Sequence, residues 1–450
     1  MKFCFERALL PDGVKREVVI EIGGDGRIVA IGGAARDTQR VRGLALPGMP
    51  NLHSHAFQRA MAGSAEVATS AEHSFWGWRE VMYRFVEQLA PEDLSAIAAF
   101  AYLEMLEAGY TSVAEFHYLH HQLSGARYAQ PTALGAAVRA GARAAGIRHL
   151  LLPTLYQQGN FSGEPLLGAQ RRFANDSAAF IELQARYAAG AVGLETTGLA
   201  LHSLRAVPRA ALEQVVAAMP ASCPVHIHIA EQQREVRDCQ SWSGSRPVEY
   251  LLATGLVSSR WCLVHATHVS DAELKALAAS GAVAGLCPTT ESNLGDGRFP
   301  LDDYVGAGGR FGIGSDSHVS LDPREELRSL EYTLRIWRER RVIAVVPGAP
   351  NCGAFLYQAA LAGGAQASGE QTHGFVAGAV GDLVIIDIDR PEFAGVADAA
   401  LIDAWIFAPR PGAVRDVWVG GQAVVTDGRH RAREAIASEY RASLARLTAG

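Results

Sequence analysis

Residues 46–58, LPGMPNLHSHAFQ, set two histidines one residue apart where an apolar run gives out. In an extended chain alternate side chains share a face, so His53 and His55 point the same way. Two neutral imidazoles converging at a strand end can share one metal ion; a surface or hydrogen-bonded core pair is the plainer alternative. The choice turns on whether the rest of the chain supplies further ligands. Three later stretches carry groups of the right kind: VHIHIAE with His226, His228 and Glu231, LVHATH with His265 and His268, and GIGSDSH with Asp316 and His318. Each closes a short β-rich run. His226 and His228 share a strand face, and the one nearer the C-terminal end, His228, is the ligand candidate. His226 is expected as an inward-facing core histidine, and His268 and His318 as loop or supporting groups. Of His117, His120 and His121, two are expected to be solvated.

These groups meet only if the elements carrying them converge. Between about residues 46 and 370, short β-branched or Leu-rich runs alternate with longer Ala/Leu/Glu/Arg-rich stretches. The candidate strands are 45–55, 111–117, 149–156, 199–204, 225–230, 262–265, 283–287 and 311–316. Residues 91–109, PEDLSAIAAFAYLEMLEAG, show helical apolar spacing, and Ser270 with Glu273 forms a capping-box signature. Eight strands alternating with helices predict a (β/α)8 TIM-like barrel, whose active sites lie at the C-terminal strand ends. The runs REVVIEIGGDGRIVAIGG near the start and GDLVIIDID and VRDVWVGGQAVVTDG near the end predict short strands with Gly turns. Strands from both termini would pair into one small β-sandwich domain. The expected organisation is residues 1–45 and 371–450 for that domain, the latter with a terminal helix, and 46–370 for the barrel.

Bulk properties exclude other classes. The chain has 450 residues, 49% hydrophobic and 20% charged, enough for an ample core. A net charge of −6 argues against nucleic-acid binding. No signal-peptide h-region or membrane-span pattern is present, so a cytoplasmic enzyme is expected. The six cysteines are dispersed without CxxC spacing, and none is expected beside a base; no GxSxG elbow occurs either, which disfavours a metal-independent hydrolase.

Together, PGMPNLHSH, HIHIAE, LVHATH, GSDSH and AGAVGDLVIID resemble the amidohydrolase superfamily over essentially the whole chain, and within it the deaminase branch, which uses one divalent metal. The resemblance implies His53, His55, His228 and Asp316 as metal ligands. It implies Glu231 and His265 as the proton-transfer pair, with Asp316 also accepting a proton from water. Binuclear relatives usually bridge two ions with a carboxylated lysine on the fourth strand. Here GLALHSLRAV holds none, and the only lysines are Lys2, Lys15 and Lys275, so one ion per subunit is expected. The ligand set suits Zn²⁺, with Fe²⁺ or Mn²⁺ also fitting.

A narrower likeness, carried by SFWGWREVMYRF, AEFHYLHH, LHSLRAV, HIHIAEQQREVRDCQ and TESNLGDGRFP, is to the deiminases of formimino amino acids in histidine degradation. The fourth-strand element departs from their pattern in beginning with Leu201 rather than an aromatic. The implied substrate is a small dianionic amino-acid derivative, N-formimino-L-glutamate, hydrolysed to N-formyl-L-glutamate and ammonia. Two carboxylates call for arginine forks. Arg79, among the aromatic residues Phe75, Trp76, Trp78 and Tyr83, and Arg205, beside His202, are the expected anchors, with Gln58 and Tyr118 nearby and Arg209 a weaker candidate. The same aromatic group keeps a nucleobase or nucleoside deaminase as the alternative. A non-catalytic scaffold is disfavoured because every ligand is retained. Neither nucleic acid nor membrane is expected as a partner; a homodimer is possible on this reading.

Overall fold

The computed structural model describes residues 1–33, 37–66, 75–408 and 412–448; the side chains of Phe75 and Trp76 lie outside the described set. In chain order the strands are β1 (Lys2–Leu10), β2 (Gly13–Ile22), β3 (Ile28–Gly32), β4 (Gln39–Pro47), β5 (Met49–Ser54), β6 (Tyr110–His117), β7 (Arg148–Leu155), β8 (Thr196–Thr197) and β9 (Leu199–Ser203). They continue with β10 (Val225–Ile229), β11 (Trp261–His265), β12 (Val283–Leu286), β13 (Arg310–Ile313), β14 (Leu383–Ile386), β15 (Val414–Val419), β16 (Gln422–Thr426) and β17 (Arg429–His430).

One sheet runs β17-β16-β15-β14-β4-β1-β2-β3, so strands from both termini pair directly. The other runs β13-β12-β11-β10-β9-β7-β6-β5, every neighbouring pair parallel, with β8 a short side branch on β7. The ring closes between Ser54 and Asp316, where the Asp316 amide donates to the His53 carbonyl at 3.0 Å. β5, β10, β11 and β12 are buried at every residue, as parallel strands covered on both faces must be.

The apolar run 45–55 is two strands rather than one. It passes from the terminal sheet into the barrel at Gly48, where a Cβ would lie 2.1 Å from Thr111 Oγ1. Only glycine permits that approach. The eighth candidate strand ends early, at Ile313. Gly314 donates to Leu286 and then passes against His53, whose Cβ a side chain here would meet at 2.7 Å. Asp316 therefore sits on the turn past the strand, where the ring closes.

Helix Pro91–Ala108 starts on Pro91 with Glu92 and Asp93 in its first turn and stops at Gly109, φ 112°. The terminal helix Arg433–Thr448 packs on it, with Phe100 and Tyr440 stacked at 4.2 Å. Ser270 and Glu273 form the reciprocal box: the Glu273 amide donates to Ser270 Oγ at 3.3 Å and the Ser270 amide to Glu273 at 2.8 Å. Barrel and terminal sheet are tied by half-buried Arg148, whose guanidinium donates to Glu370 and, at 2.7 Å, to Asp382. Asp382 in turn accepts the Gly420 amide at 2.8 Å. Arg148→Met would leave two carboxylates without their cation, and urea unfolding should show a loss of about 3–5 kcal/mol. A loss below about 1 kcal/mol would make the pair a bystander.

Candidate active site

His53 and His55 project from the end of β5, His228 from the penultimate residue of β10, and Asp316 from the closing turn. His228 Nε2 lies 3.0 Å from His53 Nε2, and Asp316 Oδ1 lies 3.3 Å from His53 Nε2 and 3.4 Å from His55 Nε2. One donor atom from each of the four falls within 4.8 Å of the others, and all four residues are buried. The orientation is imposed from outside. His55 Nδ1 donates to the Phe116 carbonyl at 2.9 Å, which turns the Nε2 lone pair to the centre. Burial pushes His53 down to about 3, and burial with the neighbouring imidazoles holds His228 well below its ordinary value. Burial opposes the charge on Asp316, but its hydrogen bond and charge interaction with His53 hold it below the carboxylate range.

Three neutral imidazoles and a carboxylate are the protonation states a divalent cation requires. Two ring nitrogens facing each other at 3.0 Å are close enough for one cation to take a lone pair from each. The residues fit a metal.

Beside this centre stand Glu231 and His265. His265 Nε2 lies 3.8 Å from both Glu231 Oε1 and Asp316 Oδ2, and its Nδ1 faces Glu291 Oε1 at 3.3 Å. Burial raises Glu231 to about 7, with His265 opposing. Burial also opposes charge on His265, yet Glu231, Glu291 and Asp316 together lift it to about 10. The strand-end backbone is strained: Ala230, His265, Ala266, Asp316 and His318 all have φ between 42° and 67°.

Three acids, none anticipated from the sequence, hold those ends in place, Glu115 and Glu291 buried and Glu235 half-buried. Glu115 accepts from Ser54 Oγ at 2.6 Å, the Ala56 amide at 2.8 Å and the Tyr102 hydroxyl at 3.0 Å, bracketing His55. Glu235 accepts the Ala230 and Glu231 amides at 3.2 and 3.0 Å. Glu291 accepts the Cys287 amide at 2.9 Å while facing His265. Glu235 and Glu291 carry a local signal, as acidic first-turn residues of helices Gln233–Ser243 and Pro288–Leu294.

A cleft of about 870 Å³, part of it open to solvent, leads to the centre. All five expected substrate residues line it: Gln58, Arg79, Tyr118, His202 and Arg205. Gln58 donates to the Tyr118 hydroxyl at 3.4 Å, Arg79 to the Tyr156 hydroxyl at 3.4 Å, and His202 packs edge-on against Tyr156. Arg209 stands outside, paired with Glu213 at 2.7 Å.

Two expectations need correction. His117, His120 and His121 are all buried rather than mostly solvated: His117 ends β6 itself, and the loop after it folds beneath Arg172, whose carbonyl takes the His120 and His121 amides. Cys287 does have a base beside it: its thiol groups with His265 and Asp316. His226 is a core residue bonded to the Ala367 carbonyl at 2.8 Å. His268 lies between Gln233 and the Asp296 carbonyl, and His318 lies against Ser54.

The family model described as Amidohydrolase family matches residues 44–424. The chain belongs to the amidohydrolase family. This amidohydrolase is 52% identical over 439 residues to the formimidoylglutamate deiminase of Pseudomonas aeruginosa, covering 97% of each chain. It is 28% identical to a 5-methylthioadenosine/S-adenosylhomocysteine deaminase of Natronomonas pharaonis, over 91% of this chain and 88% of that one. The crystal structure of an amidohydrolase from Brucella melitensis superposes with a TM-score of 0.93 at 44% identity, covering 99% of both chains. No helix among the described residues is long and apolar enough to cross a membrane.

Proposed function

We propose that this amidohydrolase hydrolyses N-formimino-L-glutamate to N-formyl-L-glutamate and ammonia, with a single Zn²⁺ held by His53, His55, His228 and Asp316. The observation that carries the reading is one cleft presenting two arginines, Arg79 and Arg205, in front of a four-ligand cluster and an acid–base pair. That arrangement suits a substrate with two carboxylates and one polar C=N group. The relation to the Pseudomonas deiminase, 52% identical over nearly the full length, supports the same substrate.

Such an ion, when bound, acts as a Lewis acid and makes a nucleophile of water at neutral pH. The chain's own groups do the rest. Arg79 and Arg205 clamp the two carboxylates, with Gln58, Tyr118 and His202 fixing the polar end near the cluster. Asp316 accepts a proton from the attacking water. Glu231, poised near neutrality, delivers its proton to the imino nitrogen and recovers one from the hydroxyl of the tetrahedral adduct, while the proton held by Asp316 passes to the departing ammonia. His265, cationic among its carboxylates, stabilises negative charge on the oxygen that adds to the formimino carbon. The balance is R–NH–CH=NH plus water giving R–NH–CHO plus ammonia.

Arg205→Met is expected to raise KM for formiminoglutamate about 10–100-fold, since a charge-assisted hydrogen bond contributes about 1.5–3 kcal/mol. An uncharged formamidine should be affected far less, and equal effects on both would remove Arg205 from substrate binding. Aromatic lining by Trp78, Tyr83, Tyr118, Tyr156 and Phe173 favours a second reading, deamination of a nucleobase or nucleoside. The deciding experiment is ammonia release by zinc-loaded protein offered formiminoglutamate, formiminoaspartate, guanine, adenosine and cytosine. Turnover confined to the ring substrates would overturn the main reading.

A further inference from the structure

We propose that His265, Cys287 and Asp316 form a second cation site, sharing Asp316 with the first, that takes a thiophilic divalent cation and shuts the reaction off. The inference rests on the single-metal reading above only in sharing Asp316 and in the turnover it predicts to be lost.

The two carboxylate oxygens of Asp316 have different neighbours. Oδ1 lies 3.3 and 3.4 Å from the His53 and His55 nitrogens, whereas Oδ2 lies 3.8 Å from His265 Nε2. A carboxylate presented in this way can serve two ions, one per oxygen. His265 ends β11, Cys287 follows β12, and Asp316 lies beyond β13, so the three donors come from consecutive strands of the ring. One donor atom from each lies within 4.8 Å of the others, and all three residues are buried.

The set is also oriented in advance. Glu291 takes the Cys287 amide at 2.9 Å and faces His265 Nδ1 at 3.3 Å, which leaves His265 Nε2 directed at Asp316 Oδ2. Glu231 Oε1, 3.8 Å from the same Nε2, is within reach as a fourth donor.

One nitrogen, one sulfur and one or two oxygens suit Zn²⁺ in excess, Co²⁺ or Cd²⁺, and not Mg²⁺. Binding is ligand exchange without redox change: the thiol and imidazole surrender protons to solvent and their freed lone pairs go to the cation. Inhibition follows because the incoming cation occupies His265, and with it Glu231, the pair that moves protons in the reaction. The cleft would stay open and the first ion in place.

The test uses full-length enzyme carrying one equivalent of Zn²⁺, whose metal content and turnover are measured first. Co²⁺ is then titrated in, following bound metal, the near-ultraviolet thiolate-to-cobalt absorption and ammonia release. A second equivalent should bind with the thiolate band and at least tenfold loss of turnover, whereas Mg²⁺ should do neither. Cys287→Ser, and Cys287→Ala as a second variant, should keep the first equivalent and the basal rate within about twofold. Both should lack the band and need about 10–100-fold more Co²⁺ for inhibition. Binding that stops at one equivalent, saturation without the band, or unchanged inhibition of the Cys287 variants would overturn the second site. A failure of the substrate reading would show earlier, as absent turnover before any Co²⁺ is added, and the band and stoichiometry would still decide the site.

Discussion

Glu231→Gln is expected to lower turnover by about 10²–10⁴-fold, the usual contribution of a positioned proton-transfer group, with no loss of bound metal. The substitution is nearly isosteric. Glu231 is not one of the four converging ligands, and its backbone amide would still donate to Glu235, so the strand end should keep its shape. What is lost is the exchangeable proton of a carboxyl that burial lifts to about 7. Steady-state kinetics alongside elemental metal analysis provides the check. Near-normal turnover would remove Glu231 from proton transfer, and a parallel fall in metal content would reassign it to holding the site together.

Stripping the metal should abolish turnover and lower the melting temperature by several degrees, both restored by adding Zn²⁺. Without a cation, two imidazole nitrogens oppose each other at 3.0 Å and the Asp316 carboxylate stays buried among them. The four donors converge only in the folded chain, so binding stabilises it, by about 4 kcal/mol at a free metal concentration a thousand times Kd. Calorimetry of chelated and reloaded protein, with ammonia release measured on each, decides the matter. Chelated protein that melts and turns over as before would remove the metal from both catalysis and stability.

The barrel can be read from the sequence because its strands are covered on both faces and therefore appear as compact apolar runs. The histidines stand out because each interrupts or ends such a run. Where one run serves two sheets, as at Pro47–Gly48–Met49, hydrophobicity alone shows no seam; the break comes from the contact of Gly48 with Thr111, distant in sequence. The partners of Glu115, Glu235 and Glu291 are illegible for a similar reason. A buried glutamate that takes backbone amides looks in sequence like any surface glutamate, since its partners are set by the fold. Cys287 is a milder case: its place just past β12 is readable, but its meeting with His265 and Asp316 requires the neighbouring strand ends to be known. The histidines 117, 120 and 121 were expected mostly in water because they follow a strand. Arg172, at the end of the short helix Gly168–Arg172, takes the His120 and His121 amides instead, and His117 ends β6 itself.

The ring of strands is fastened at the very turn that carries the His53–Asp316 contacts, so the two ends of the barrel are joined where the cation would sit. An ion there acts as a clasp on a hoop, cross-linking residues 53 and 55 at the start of the barrel's chain path, 228 in its middle and 316 at its end. Amide protons of His55 and Asp316 should consequently exchange with deuterium far more slowly in loaded protein than in stripped protein, while those of the terminal sheet exchange alike in both.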